Sequence, residues 1–162
     1  MKKAAVVLLV ALALAASAAA QTKFSATWQC GKAEKQYEIQ VGDRPGHAFG
    51  IVQGRCAATQ AEIAGVQVKE EVWTSFGEAS GNTIRTRTSS YLIMANGDKV
   101  YSRGQSVLTV KDGVLQTEEG KWTFTGGTGK FKGLKGKGTY KNRFAADGTA
   151  TGEAEGEYEL PK

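Results

Sequence analysis

The residues of this 162-residue chain that carry reactive chemistry are few: one histidine, two cysteines and scattered carboxylates. His47 falls in a turn-rich stretch, Gly42-Asp43-Arg44-Pro45-Gly46-His47. A hydrolytic triad built on it would need a serine on a GxSxG elbow, and the sequence contains none. One His and two Cys are also too few for a His- or Cys-rich metal centre, so no metal site is expected. Asp43, Arg44 and His47 either line the mouth of a barrel or leave His47 as a surface or hydrogen-bonded loop residue, with the second reading favoured. The run Gly126-Gly127-Thr128-Gly129-Lys130 invites a phosphate-loop reading. That motif needs four residues between Gly and Gly-Lys, then Ser or Thr. Here Phe124 stands at the first Gly and Phe131 follows Lys130, so the run is read as a glycine-rich turn between strands.

The carboxylates come in adjacent pairs, Glu70-Glu71 and Glu118-Glu119. Neighbours on a strand face opposite sides, so one of each pair is available to an interior, and Glu70 is the candidate chosen. Arg85 and Arg87 share one strand face, either solvent or an anion-facing wall, with solvent favoured. No catalytic residue is assigned and no cofactor is expected. The ligand-facing candidates are Trp28, Tyr37, Trp73, Glu70, Arg85, Tyr140 and Tyr158.

Strands must position these residues. After residue 20 no apolar period of 3.6 persists over three turns, whereas alternation with period 2 is common, as in Tyr37-Glu38-Ile39-Gln40-Val41. Asn96-Gly97, Asp112-Gly113 and Asp147-Gly148 each lie between two strand-like runs and predict three hairpins. The stretch 61–73 is read as strand throughout, with Gly65 inside it. The count is about eight to ten strands. The fold class is all-β, a single antiparallel β-barrel with a meander order.

The last hairpin is specific enough to give register. With 146–148 as its loop, Ala145 faces Thr149, Lys141 faces Glu153, Lys137 faces Glu157 and Lys135 faces Glu159. The opposite face then carries Leu134, Gly136, Gly138, Tyr140 and Phe144 against Ala150, Gly152, Ala154, Gly156, Tyr158 and Leu160, uncharged and suited to the inside of a curved sheet. A slip of one residue would turn the glutamates inward, so the register is well determined. The same pairing answers the basic run at 130–143. Its six positive charges meet five acids at 147–159, and no nucleic-acid partner is expected.

The N-terminus gives an address. Met1-Lys2-Lys3 is followed by an apolar run and by Ala18-Ala19-Ala20 before Gln21, the three-part layout of a secretory signal peptide. The expected organisation is a signal peptide at 1–20 and one barrel domain at 21–162. Export to the bacterial periplasm or medium is expected, with no membrane span after cleavage. Without Lys2 and Lys3 the formal charge falls from +5 to +3. An exported chain meets an oxidising compartment, so Cys30 and Cys56 are expected to form a disulfide.

At Gly126-Gly127-Thr128-Gly129-Lys130-Phe131-Lys132-Gly133, with Gly136-Lys137-Gly138-Thr139-Tyr140 beyond, the chain resembles the allene oxide cyclase-like and dirigent-like β-barrels. It also resembles small exported bacterial proteins that share this pattern. The resemblance implies an eight-stranded antiparallel barrel and a homo-oligomer. Gly126, Gly127, Thr128, Gly129 and Phe131 carry it as structural residues, and it transfers no catalytic residue. A lipocalin or avidin (calycin-type) meander is the weaker likeness. Three functions follow as expectations. The first is an exported barrel that binds a small apolar or aromatic ligand. The second is a cyclase- or isomerase-type enzyme acting on a lipophilic substrate in the cavity. The third is a packed envelope protein with no cavity.

Overall fold

The computed structural model describes residues 21–161. The signal peptide predicted for residues 1–20 lies outside them. Nine strands are present: β1 (Thr22–Cys30), β2 (Lys35–Gln40), β3 (Ala48–Ile63), β4 (Val66–Ser80), β5 (Thr83–Met94), β6 (Lys99–Lys111), β7 (Val114–Gly127), β8 (Lys135–Phe144) and β9 (Ala150–Glu159). A single 3-10 turn at Gly129–Phe131 joins β7 to β8. The sheet runs β1-β9-β8-β7-β6-β5-β4-β3-β2, and β1 also pairs with β3. Eight strands therefore close into an antiparallel barrel, the architecture the glycine motif implied. The ninth, β2, takes up where β1 stops. β1 pairs with the later half of β3 (Cys30 with Cys56) and β2 with the earlier half (Lys35 with Gln53). The Cys30–Cys56 disulfide bridges the directly opposed residues at that changeover. Closing a loop of 26 residues gives a stabilisation of about 3–4 kcal/mol in the chain-entropy account.

The register expected for the last hairpin is present. Lys135 pairs with Glu159, Lys137 with Glu157 and Lys141 with Glu153, and Ala145 bonds Thr149. Lys137 and Glu157 form an ion pair at 3.7 Å, whereas Lys141 turns to Glu119 of β7 at 3.4 Å. All three predicted hairpins form. Two further two-residue hairpins were hidden in the sequence, at Ala64-Gly65 and at Gly81-Asn82. The stretch 61–73 is not one strand: it turns at Ala64-Gly65, where both residues have positive φ (50° and 77°). Alanine rarely adopts that conformation, so the sequence shows no Asn-Gly or Asp-Gly signal there.

The interior is organised by a recurring pair, an aromatic residue opposite a glycine. Trp122 pairs with Gly138, Trp73 with Gly54, Tyr140 with Gly120, and Phe24 with Gly156. A Cβ on Gly138 would sit 2.5 Å from the Trp122 ring and 2.0 Å from a backbone oxygen. One on Gly54 would sit 2.6 Å from the Trp73 ring. Gly138 and Gly156 of the last hairpin thus leave room for the Trp122 ring. Phe24, Trp122 and Phe124 form one aromatic group, with centroid distances of 4.5 to 5.4 Å. Below them Phe131, Leu134, Ile63, Met94 and Val100 are fully buried and close one end of the barrel.

The glycine motif builds that floor. Thr128 accepts a hydrogen bond from the Lys99 amide at 2.9 Å and donates to Asp98 at 3.0 Å. A Cβ on Gly127 would meet the Lys99 carbonyl oxygen and Phe131, so only glycine lets the turn fold Phe131 inward. The motif is structural, and it forms no phosphate cradle at the head of a helix.

Candidate functional site

The other end of the barrel stays open and holds a cavity of about 310 Å³. That is at the small end of the range for small-molecule sites. All three tryptophans, Trp28, Trp73 and Trp122, line it, together with Phe24 and Phe124 at its depth. The wall made by β4, β5 and β6 is polar. Alternation points Ser75, Thr86, Thr88, Ser90, Ser102 and Ser106 inward, and their hydroxyls bond across the strands. Ser75 meets Thr88, Thr86 meets Ser106, and Ser90 meets Ser102, each at 2.6 Å.

Two carboxyl groups stand among these hydroxyls. Glu118 on β7 accepts from Ser106 at 2.6 Å and Tyr140 at 3.0 Å on one oxygen, and from Asn142 at 2.8 Å on the other. Because Ser106 spends its proton on Glu118, Thr86 must donate to Ser106. The Tyr140 phenol is pushed well above its ordinary value, by burial first and by the Glu118 charge beside it. It therefore remains a hydrogen-bond donor across the whole physiological range. Glu71 on β4 is enclosed by the barrel, and the accessibility it keeps is to the cavity it lines. Burial raises its pKa, Ser90 partly opposes the rise by hydrogen bonding, and Glu118 adds to it by charge.

The inward residue of the first acidic pair is thus Glu71, not Glu70. The reason is a β-bulge between Val68 and Glu70, where the extra residue shifts the alternation. Val68 faces the core before the bulge and Glu71 faces the cavity after it. Glu70 lies outside, 2.9 Å from Arg55, which also pairs with Glu34 at 3.1 Å.

The other candidates divide in the same way. Trp28, Trp73 and Tyr140 line the cavity. Tyr158 is buried at the closed end, where its hydroxyl accepts from the Ala64 amide at 2.9 Å. Arg85 lies on the exposed outer face. Tyr37 stands at the cavity mouth with its side chain 70% exposed, opposite Ile51. It belongs to an apolar patch on the outer face with Ile39, Phe49, Ile51 and Phe76, in which Phe49 and Phe76 stack at 5.7 Å.

His47 is buried in its loop between two acids, 2.5 Å from Asp43 and 3.0 Å from Glu78. Arg44 pairs with Asp43 at 2.7 Å. This clasp is the hydrogen-bonded loop the sequence led us to expect, and none of the three residues lines the cavity. Among the described residues no group of three or more His, Cys, Asp or Glu is placed to hold a metal ion.

Sequence reasoning missed Glu71, Glu118, Asn142 and the hydroxyl wall. A signal for the wall was present: small hydroxyl residues at 86, 88 and 90 and again at 102 and 106 repeat with period 2. For Glu71 no such signal existed, because the bulge that turns it inward is not marked by Gly or Pro.

No family model matches the sequence, and no curated protein matches it significantly. Among solved structures, that of the pterocarpan synthase dirigent protein GePTS1 is similar to this chain. The TM-score is 0.41 and the identity 11%, over 88% of this chain and 89% of that chain.

Proposed function

We propose that this barrel binds a small, largely apolar or aromatic molecule in its open half. The observation that carries the reading is the cavity itself. It combines three tryptophan walls with a ring of hydroxyl and carboxyl groups, the mix of apolar surface and few polar anchors that ligand sites use. A packed envelope barrel would have filled this space with side chains. The cyclase- or isomerase-type reading draws support from one feature, a raised carboxyl group at Glu71 facing a second carboxylate. Glu71 would then be the proton donor.

The ligand reading is tested with a neutral naphthylamine dye, N-phenyl-1-naphthylamine, whose emission rises in apolar sites. The expected result is saturable binding by the wild-type protein and at least tenfold weaker binding by Gly104→Leu. Gly104 lines the cavity, and a Cβ there meets only ordinary contacts at 3.5 to 3.7 Å, so the position accepts a side chain that extends into the cavity. Equal binding by both proteins places the dye elsewhere and overturns the reading.

Export belongs to the same reading. It is supported by the disulfide and by the layout of residues 1–20. Native mass spectrometry of protein from its source cells tests it, with a mature mass beginning at Gln21 expected. The same spectrum reports the homo-oligomer that the resemblance implied. No helix among the described residues is long and apolar enough to cross a membrane.

A further inference from the structure

We propose that the cavity takes a small organic cation, a protonated amine on an aromatic or apolar body, with its ammonium group held between Glu71 and Glu118. This rests on the ligand-barrel reading and names the class of ligand.

The first argument is the charge on the inner surface. Glu71, Glu118 and, at the mouth, Glu38 line the cavity. The one basic residue along the wall is Arg103, which lies on the exposed outer row between the inward Ser102 and Gly104. No ion pair among the described residues engages Glu71 or Glu118; the salt bridges form outside, as at Arg55 with Glu70 and Glu34. The cavity is therefore an anionic enclosure with no internal counter-charge.

The second argument is the supply of protons for hydrogen bonding. Ser106, Tyr140 and Asn142 all donate to Glu118, and Thr86 donates to Ser106. Ser90, which holds Glu71 down by hydrogen bonding, accepts in turn from Ser102. The Ser75–Thr88 pair spends one of its two protons internally and keeps the other. Most donors of the wall are spent around the two carboxyl groups, so acceptor capacity dominates what remains open. A ligand that offers N–H groups finds more partners than one that offers only acceptors. A ligand carboxylate is repelled outright.

The third argument is the aromatic lining. Trp28, Trp73 and Trp122 give the ring faces that stabilise organic cations. A metal ion is a poorer match, because the acids are not gathered into a ligand set of three.

Binding should also move a proton. The titratable groups that face Glu71 are Glu118 on β7 and Tyr140 on β8. The adjoining strands present Cys56, held in the disulfide, and Ser90 with Leu92. An ammonium beside Glu71 favours its ionised form and releases any proton it holds.

The test displaces the naphthylamine dye with three probes of one shape: phenethylammonium, phenethyl alcohol and 3-phenylpropanoate. The expected order is ammonium at least tenfold tighter than the alcohol, with the carboxylate inactive. Glu118→Gln and Glu71→Gln should each weaken the ammonium about tenfold and leave the alcohol within twofold. Calorimetry in two buffers of different ionisation enthalpy supplies a measurement that needs no variant. Proton release with the ammonium and none with the alcohol is expected. If the dye binds but the three probes compete equally or not at all, the cation proposal fails and the ligand barrel stands. If the dye itself does not bind, the ligand-barrel reading falls, and this proposal with it.

Discussion

At the closed end of the barrel the inward residues are Phe131, Leu134, Ile63, Met94 and Val100, none more than 1% exposed. At the open end, along the strands that lead away from this floor, the polar inward residues are serines, threonines, Glu71 and Glu118. The change occurs along single strands. β5 runs from Thr86, Thr88 and Ser90 to Leu92 and Met94, and β7 from Glu118 to Trp122 and Phe124. Apolar burial of the first kind stabilises by roughly 1.5–3 kcal/mol per large side chain. The hydroxyl pairs of the second kind roughly exchange water bonds for internal ones and add little. The stability of the fold is therefore concentrated at the floor. The open half is free to keep a polar surface and a void because the floor holds the strands together.

The sharpest way to break this contrast is to open the floor. Phe131→Ala removes a fully buried ring and should lower the unfolding free energy by about 3–5 kcal/mol. Denaturant titration measures the loss. A loss below about 1 kcal/mol would mean that the floor is not where stability resides. The next contrast uses one substitution at the two glycines that flank Trp122. Gly138→Ala drives a methyl group into Trp122 and the Glu155 carbonyl oxygen, 2.0 Å away. It should cost about 1–3 kcal/mol as overpacking. Gly104→Ala meets nothing closer than 3.5 Å and should stay within about 0.5 kcal/mol. Equal costs at the two positions would erase the distinction between the side of Trp122 that its ring fills and the side that stays open.

The closed half was largely legible in the sequence, and the open half was not. Alternating charge on the last hairpin fixed which faces of β8 and β9 turn inward, and the register follows to the residue. The glycine motif marked the β7–β8 turn because its positions tolerate no side chain. Local patterns of this kind are repeated and strongly constrained, so they leave a trace. The carboxyl pair depends on events that are neither. A bulge in β4 swaps Glu70 for Glu71. Glu118 becomes a site only because Ser106, Tyr140 and Asn142 arrive from two neighbouring strands. The turn at Ala64-Gly65 escaped notice for a related reason, since a positive φ at alanine is imposed by the strands on either side.

The smallest effect is also the one with the opposite sign. Glu71 has no counter-charge, and burial together with Glu118 raises it above its ordinary value of 4.5. Between 4.5 and that raised value, the folded chain holds a proton that the unfolded chain has released. The unfolded state then binds fewer protons than the native one, so stability falls as pH rises through this window. Below 4.5 both states are protonated and the penalty vanishes. Glu71→Gln keeps the shape and cannot ionise. The variant should be more stable than the wild type at pH 7, and the difference should shrink to nothing as pH falls below about 4.5. Thermal unfolding from pH 4 to pH 8 measures the difference directly. A gap that does not change with pH would show that Glu71 ionises in the fold as freely as in water. The open half would then be a solvated vestibule, and the contrast with the floor would be one of hydration rather than of enclosed charge.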